Sequence, residues 1–429
     1  MKNNVKNLIE FIDHSPSCFH VIENAKKQFL EHGFIELKEK EYWDLEEGKS
    51  YFVTRNGSSM IAFHLPKKDF QGFRIVASHS DSPTYRIKEQ PEMSVEKHYT
   101  KLNIERYGGM IPETWFDRPL SVAGRIIIEE NGQIKDQLVN IDRDLMIIPN
   151  LAIHMSRSSN ESKQLNPQKD LLPLCGGNLT KDGFEEMIAK ESGVEKEDIL
   201  SYDLFLYNRM RGTTLGINEE FVAAPKLDDL ECAYSSIEGM LNAKLSKDYV
   251  TVCAVFDNEE VGSGTKQGAG STFFPEVLKR ISYLCGKNEE EYYMAVADSF
   301  MLSADNAHAV HPNYQDKTDP TNRPYINEGI VLKYNASQKY TTDANSAALV
   351  KYLCKKEKIS CQVFFNRSDM LGGSTLGNIL TGQVSIKAAD IGLPQLSMHS
   401  TYETAGCKDL GDMITLMRSF YELGKEVQI

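Results

Sequence analysis

The sequence lacks the features of secreted and membrane proteins. Its 429 residues include eight cysteines, and none of these forms a Cys-x-x-Cys pair. Scattered thiols of this kind are typical of a reducing compartment. The first residues contain no apolar run like that of a signal peptide, and no segment approaches the roughly 20 apolar residues that cross a bilayer. We therefore expect a cytoplasmic protein without a membrane partner.

An excess of positive charge is also absent. Asp and Glu total 61 against 48 Lys and Arg, which gives a formal net charge of -13. Non-specific nucleic-acid binding needs a basic surface, so nucleic acid is excluded as a partner. Apolar residues make up 41% of the chain and charged residues 25%, which is a globular composition.

What is present is an α/β pattern in two separated parts of the chain. A length of 429 residues is too great for one ordinary core and predicts two domains, or one domain with an insertion. Strand-like runs alternate with helix-like segments, which predicts a mixed, mostly parallel sheet sandwiched by helices. The predicted strands are 73–77, 249–256, 292–298, 329–333 and 361–365, and the predicted helices are 17–32, 230–241, 270–284, 345–356 and 408–423.

Between these two parts the pattern changes to short strands separated by turn signals such as Asn-Gly. We interpret residues 93–220 as an inserted β-rich accessory domain. Residues 1–92 and 221–429 then form the domain that carries the chemistry. The strand-like runs of the insertion are 122–128, 137–139 and 145–148.

Polar side chains follow the predicted strands, at the edge where α/β sheets carry their sites. His79 and Asp81 come directly after the strand 73–77. Residues two apart on an extended segment face the same side, so Asp81 can accept the second ring N–H of His79 and fix its tautomer. Such a pair is familiar beside bound metals. A surface turn with incidental charges is the alternative.

Two adjacent carboxylates, Glu259 and Glu260, follow the strand 249–256. Neighbouring acids repel each other and are costly to desolvate. A dication removes this conflict, because one Glu can ligate it while the other takes a proton from the bound water. An exposed loop with two acids is the alternative.

Asp228, Asp305 and His399 complete a set of two imidazoles and three carboxylates with His79 and Glu260. Nitrogen and oxygen ligands without thiolate suit zinc, cobalt or manganese. Two metals that lie close together need a shared ligand, and an Asp is suited to that role. Each of these residues alone could equally be a cap or a turn residue, as Asp228 could be for the helix that follows it.

In the order of these clusters along the sequence, the chain resembles the aspartyl aminopeptidase family, which includes the vacuolar aminopeptidase I type. The resemblance runs nearly end to end, and its motifs are specific jointly rather than singly. They are SHSDSP (78–83), LDDL (227–230), DNEEVGS (257–263), SADNAHAVHPNY (303–314), GIVLKYNASQKY (329–340), GSTLG (373–377) and SMHSTYE (397–403).

The resemblance implies a zinc exopeptidase-like fold and two divalent ions per subunit, with zinc expected and cobalt or manganese as alternatives. It places His79 and Asp305 as ligands of one ion. Glu260 and His399 match ligands of the other ion, and Asp228 matches the bridging aspartate.

Three further roles come from the same resemblance. Glu259 matches the general base that activates a water held between the two ions. His154 matches a histidine that the accessory domain supplies to a neighbouring subunit's active site, where it would stabilise an oxyanion; an ordinary interface histidine is the alternative. Lys333 matches a lysine placed to bind an acidic substrate side chain. A lysine bonded to carbonyls or to a structural carboxylate is the alternative.

The implied function is a metalloaminopeptidase that releases N-terminal residues from short peptides, with a preference for Asp or Glu. The implied assembly is a set of dimers that form a tetrahedral shell of twelve subunits. Asp229 stands where an asparagine is common, and Tyr402, Gly372 and Asn378 also depart from the usual pattern, which puts the specificity pocket in doubt. A preference for neutral or hydrophobic N-termini and a catalytically silent scaffold of the same fold remain alternatives. A two-metal phosphoesterase is disfavoured, since there is no conspicuous basic cluster to bind phosphate.

Overall fold

The computed structural model describes residues 2–155, 164–178 and 182–427. Among these residues, no helix combines the length and the apolar character that would let it span a membrane. The α-helices, in chain order, are α1 (Lys2–Asp13), α2 (Cys18–Glu31), α3 (Pro167–Asp170), α4 (Gly183–Ser192), α5 (Leu227–Leu241), α6 (Phe273–Leu284), α7 (Glu289–Ala297), α8 (Ala344–Glu357), α9 (Leu376–Gln383) and α10 (Cys407–Tyr421).

The strands build three sheets, of nine, six and five strands. In chain order they are β1 (Ile35–Leu37), β2 (Lys49–Arg55), β3 (Ser59–Leu65), β4 (Phe73–His79), β5 (Thr84–Val95), β6 (Tyr99–Tyr107), β7 (Leu120–Glu130), β8 (Gln133–Asn140), β9 (Leu174–Gly176), β10 (Ile199–Asn208), β11 (Thr213–Leu215), β12 (Phe221–Ala224), β13 (Val250–Phe256), β14 (Phe300–Ala304), β15 (Ala307–His308), β16 (Ile330–Tyr334), β17 (Cys361–Phe365), β18 (Lys387–Gly392), β19 (Pro394–Leu396) and β20 (Glu403–Gly406).

The nine-stranded sheet has the order β1-β2-β3-β13-β4-β14-β18-β16-β17. Its pairs β1/β2, β13/β4, β4/β14, β14/β18 and β16/β17 are parallel, and the remaining pairs are antiparallel. Every residue of β4 and β13 is buried, as expected for strands that are covered on both faces. The predicted α/β fold with a mixed, mostly parallel sheet is confirmed.

Side-chain alternation along the central strands feeds two separate cores. On β4, Val76 packs into a core with α1, α2, α5, α8 and α10 on one face of the sheet. Ile75 and Ala77 point the other way, into a core with α6, α7 and α9. The sheet is therefore sandwiched by helices, and its strand ends are fixed from both sides.

Two hairpin turns follow directly from the Asn-Gly dipeptides of the sequence. Asn131 and Gly132 join β7 to β8 as a two-residue loop with φ values of 55° and 76°, and Asn56 and Gly57, with 58° and 66°, form the three-residue loop between β2 and β3 together with Ser58. Two-residue hairpin turns of type I′ need positive φ at both positions, which Asn and Gly tolerate best.

Two predicted strands are wrong. Residues 292–297 lie in the helix α7, residue 298 is its C-cap, and the strand of this region is β14, which begins at Phe300. The capping box of Asn288 and Glu291 starts the helix, and a short apolar run alone does not distinguish a helix from a strand. The segment 145–148 makes only isolated bridges rather than a strand.

The six-stranded sheet has the order β8-β7-β10-β5-β6-β9, and its strands come from residues 84–208. Its pairs are antiparallel, and it encloses a core of its own. The expected division into residues 1–92 with 221–429 and an inserted 93–220 stays a prediction.

Candidate metal centre

Three strands of the nine-stranded sheet end beside one another at the site. β4 ends at His79, and β13 pairs with it in parallel register so that Phe256 lies opposite His79. β14 ends at Ala304 on the other side of β4, directly before Asp305. Because parallel strands share a carboxyl edge, the polar residues that follow them meet there.

His399 reaches this edge from a different sheet. It lies in the turn between β19 and β20 of the five-stranded sheet, in a left-handed conformation with φ of 66°. Glu403, at the start of β20, holds this turn because its Oε1 accepts the backbone N–H of His399 (2.6 Å). Its Oε2 accepts the backbone N–H of Asp228 (3.0 Å), so one buried carboxylate ties both segments together.

The structure brings together all five residues predicted as ligands. They fall into three groups, within each of which one potential ligand atom per residue lies within 4.8 Å of the others. The groups are His79 with Asp228, Asp229 and Asp305; His79 with Glu259 and Glu260; and Asp228 with Glu260 and His399.

Asp228 lies between the two imidazoles. Its Oδ1 is 3.6 Å from His79 Nε2, and its Oδ2 is 3.3 Å from His399 Nε2. Glu260 Oε1 is 3.4 Å from the same His399 nitrogen. One carboxylate therefore faces both halves of the centre with different oxygens, which is the geometry that a shared ligand requires.

The chemistry of these side chains fits a bound cation. Asp228 Oδ1, Asp229 Oδ1 and Glu260 Oε1 are buried without a hydrogen-bond partner. Buried carboxylate oxygens without a partner carry a large desolvation penalty, which a metal ion would remove. Oxygen and nitrogen donors without a thiolate suit zinc, cobalt or manganese.

Burial and the closeness of the acids also shift their pKa values. Burial, with the negative charge of Asp228 nearby, holds the pKa of Glu260 well above its usual value. Burial raises the pKa of Glu259 to about 8, against a lowering effect of His79 and with Asp305 adding to the rise. Burial opposes ionisation of Asp228 too, but the imidazoles of His399 and His79 that face its two oxygens hold its pKa below the usual value. Bound cations would favour the charged form of each acid.

Asp81 holds the backbone of the two adjacent acids, Glu259 and Glu260. Its Oδ1 accepts the backbone N–H of Glu259 (3.1 Å), and its Oδ2 accepts the backbone N–H of Glu260 (3.2 Å) and the hydroxyl of Tyr107 (2.7 Å). His79 Nδ1 lies 3.1 Å from the backbone oxygen of Asp81 and 3.4 Å from its Oδ1. The backbone carbonyl, rather than the expected carboxylate, is thus the nearer partner of the ring.

Two other predicted residues lie outside the three groups. His154 is exposed, in a short 3₁₀-helix (Ile153–Met155). Lys333 is 2% exposed, and its Nζ donates to the backbone oxygens of Asp305 (2.7 Å) and Asn306 (3.2 Å).

Sequence reasoning missed Tyr107 and Glu403. Glu403 closes the SMHSTYE motif four residues after His399, so its position in the motif was a usable signal. Tyr107 lies at the end of β6, in a segment with no other chemistry, and only the packing of the six-stranded sheet against the site brings its hydroxyl to Asp81.

The fold and the site define an α/β protein with a buried histidine and carboxylate cluster at the carboxyl edge of its central sheet. Residues 11–421 match the model of the family described as aminopeptidase I zinc metalloprotease (M18), and the chain belongs to this family. It is therefore a zinc metalloaminopeptidase, a hydrolase of peptide bonds, and the family resemblance of its motifs is confirmed.

Relatives of similar length support the assignment. The chain is 46% identical to a probable M18 family aminopeptidase 2 of Clostridium novyi over 437 residues, covering 99% of this chain and 100% of the relative. It is 37% identical to a protein of the same description from Pseudomonas aeruginosa, covering 96% and 97%. Among solved structures, a chain of the Ape4 and Nbr1 complex superposes with a TM-score of 0.95 at 37% identity, covering 98% of this chain and 85% of that one. The mApe1 dodecamer of Saccharomyces cerevisiae superposes at 0.85 with 26% identity, covering 98% and 97%.

Proposed function

We propose that this enzyme releases N-terminal residues from short peptides with two divalent ions, held by His79 and Asp305 on one side and by Glu260 and His399 on the other. Asp228 would be the ligand that the two ions share. The observation that carries this proposal is the position of Asp228, whose two oxygens face the two imidazoles at 3.6 and 3.3 Å.

Two such ions would polarise the scissile carbonyl and lower the pKa of a water between them. Glu259 would take a proton from the attacking water and return it to the leaving amine. It is suited to this role because its carboxylate lies in the same group as His79 and Glu260, while Asp81 fixes its backbone. Zinc is the expected ion, with cobalt and manganese as alternatives that use the same donors.

Replacing Glu259 with Gln tests the base. The variant keeps the backbone hydrogen bond to Asp81 and leaves the five proposed ligands in place. We expect two ions per subunit by elemental analysis and a kcat reduced about 10²- to 10⁴-fold. Glu290, exposed on α7, offers a matched control, since Glu290→Gln changes the same group away from the centre. Turnover of Glu259→Gln at the wild-type rate would exclude Glu259 as the base.

The finer proposal is a preference for acidic N-terminal residues, with Lys333 binding the substrate carboxylate. A lysine has three N–H donors, and two of those of Lys333 are directed at the carbonyls of Asp305 and Asn306. Its Nζ is also 3.6 Å from Asp305 Oδ2, so the buried positive charge that would attract a substrate carboxylate is shared with this acid. Hydrolysis of Asp-, Glu- and Leu-anilides by one preparation distinguishes this from a neutral preference, and faster cleavage of the Leu substrate would refute it.

We also propose that the chain forms dimers and a shell of twelve subunits, as the yeast relative is described to do. Around His154 the apolar side chains of Leu151, Ile153 and Met155 are 48%, 47% and 77% exposed. Exposed apolar residues grouped in this way are typical of a subunit interface. His154 would then stabilise the oxyanion in the site of a neighbouring subunit.

A further inference from the structure

One carboxylate at the centre has a free oxygen that the five proposed ligands do not explain. Asp229, the third residue of α5, has no exposed surface. Its Oδ2 accepts the backbone N–H of His79 (3.1 Å), whereas its Oδ1 is buried without a hydrogen-bond partner. The nearby thiol of Cys232 donates to Asn306 (3.2 Å).

Glu231 of the same helix also has two oxygens without a hydrogen-bond partner, but it belongs to none of the three groups. Two other carboxylates differ from Asp229 in having partners for both oxygens. Asp81 and Glu403 use both oxygens to accept hydrogen bonds, so each has a complete set of partners. Asp228 and Glu260 also have free oxygens, but they are proposed ligands. Asp229 belongs to the same group as His79, Asp228 and Asp305, and its Oδ2 lies 3.9 Å from His79 Nε2, so its carboxylate stands beside the position of one ion.

The charges around the two halves of the centre are unequal. Lys333 Nζ is 3.6 Å from Asp305 Oδ2, so a positive charge weakens the pull of Asp305 on a cation. A second carboxylate on this side offsets that loss. The half formed by Glu260 and His399 has no comparable lysine among the ion pairs of the described residues.

We propose that Asp229 supplies an additional carboxylate to the ion held by His79 and Asp305, and that this half of the centre depends on it while the other half does not. The proposal rests on the two-ion function above. One more oxygen donor on this side also suits ions that accept more than four ligands, such as manganese.

Replacing Asp229 with Asn removes the charge and keeps an oxygen that can accept the N–H of His79. The two halves are separated by using single-site backgrounds of the full-length chain: His399→Ala weakens one half, and His79→Ala weakens the other. Metal-stripped protein is titrated calorimetrically with zinc and then with manganese. In the His399→Ala background we expect Asp229→Asn to weaken zinc binding at least about tenfold. In the His79→Ala background we expect Asp229→Asn to change the zinc affinity by less than about twofold, as for sites that do not interact.

Cobalt provides a readout that is independent of activity. The absorption spectrum of the cobalt-loaded protein reports ligand number, so Asp229→Asn should alter the band of the His79 half and leave that of the His399 half unchanged. Glu231 is a matched control, because it is a fully buried acid of the same helix that belongs to none of the three groups. Glu231→Gln should leave both affinities and both bands unchanged.

Three outcomes would overturn the inference: an Asp229→Asn variant with wild-type affinity in the His399→Ala background, equal weakening in both backgrounds, or an equal loss in Glu231→Gln. Failure of the proposed function is distinguishable, since wild-type protein would then bind fewer than two ions. If wild type binds two ions and Asp229→Asn binds them equally well, only the role of Asp229 is rejected.

Discussion

Asp81 connects the six-stranded sheet to the proposed metal centre at the edge of the nine-stranded sheet. Its carboxylate accepts hydrogen bonds from the backbone of Glu259 and Glu260 and from the hydroxyl of Tyr107. The same hydroxyl accepts from Asn258 Nδ2 (2.8 Å), one residue before Glu259. Tyr107 therefore fixes the loop that carries the proposed base from two points.

Removal of this hydroxyl tests the coupling. Tyr107→Phe keeps the ring and its edge contact with Phe205 (5.8 Å between centroids) but leaves Asp81 with one donor fewer. Supporting hydrogen bonds of this kind are worth about 10- to 100-fold in activity or metal affinity. We expect a kcat loss in that range with an unchanged fold, measured by steady-state kinetics and circular dichroism.

The matched control is Tyr202→Phe in the same sheet. The hydroxyl of Tyr202 donates to the carbonyl of Lys88 (2.8 Å) and touches none of the proposed ligands. Its loss should leave kcat near the wild-type value. Equal kcat values for Tyr107→Phe and wild type would show that Asp81 holds the loop without the tyrosine.

Site residues near the ends of predicted strands could be predicted from the sequence. A residue that reaches the site only through the packing of distant segments could not. His79 is the last residue of β4, and Glu259 and Glu260 lie in the loop that follows β13, so the sequence places them at the carboxyl edge of a sheet. Tyr107 is one aromatic residue among many in the sequence. Its role depends on how β6 approaches β13, a relation between distant segments that no local pattern encodes.

At the scale of elements, α7 shows where periodicity fails. The run Tyr-Tyr-Met-Ala-Val-Ala is short and apolar, so it fits a strand or a buried helix. The capping box at its N-terminus distinguishes the two. The side chain of Asn288 accepts the N–H of Glu291 (3.0 Å), and the side chain of Glu291 accepts the N–H of Asn288 (2.7 Å). Two donors at the helix end are thereby satisfied, which favours the helix.

We expect Asn288→Ala to destabilise α7 by about 1 kcal/mol, because the N-terminal donor loses its acceptor. In a chain of this size global unfolding need not be two-state, so amide hydrogen exchange across residues 289–297 is the appropriate measurement. Exchange there should quicken while the strand β13 is unaffected.

Met294→Ala is the control, since this side chain of α7 is 63% exposed. Substitutions of exposed side chains that take no part in a helix cap change the free energy of unfolding by less than about 0.5 kcal/mol. If the two variants exchange alike, the capping box does not determine the stability of the helix.

At the scale of the whole molecule, the centre depends on all three sheets. The nine-stranded sheet brings His79 and Asp305, the five-stranded sheet brings His399, and the six-stranded sheet brings the hydroxyl of Tyr107. The alternation of strands and helices predicted the first of these sheets. The five-stranded sheet combines short strands from residues 213–224 and 307–406, which are too short and too far apart to be recognised from their sequence.

In the proposed assembly, His154 would extend this dependence to a second copy of the chain. If a neighbouring subunit supplies this histidine, each site combines Glu259 of one chain with His154 of another. Glu259→Gln removes the base, and His154→Ala removes an oxyanion donor, which costs about 10²- to 10³-fold in kcat. Each variant alone should therefore be nearly inactive.

Co-expression of the two variants should restore activity. In a mixed dimer the chain with His154→Ala keeps its own Glu259 and receives His154 from its partner, so one site in that dimer is intact. Random pairing in equal amounts makes half of the dimers mixed, and roughly one quarter of all sites should then be active. Activity is measured on the purified co-expressed protein, and each variant expressed alone gives the baseline. If His154 acted within its own chain, every site would carry one defect, and the mixture would be no more active than the mean of the two variants.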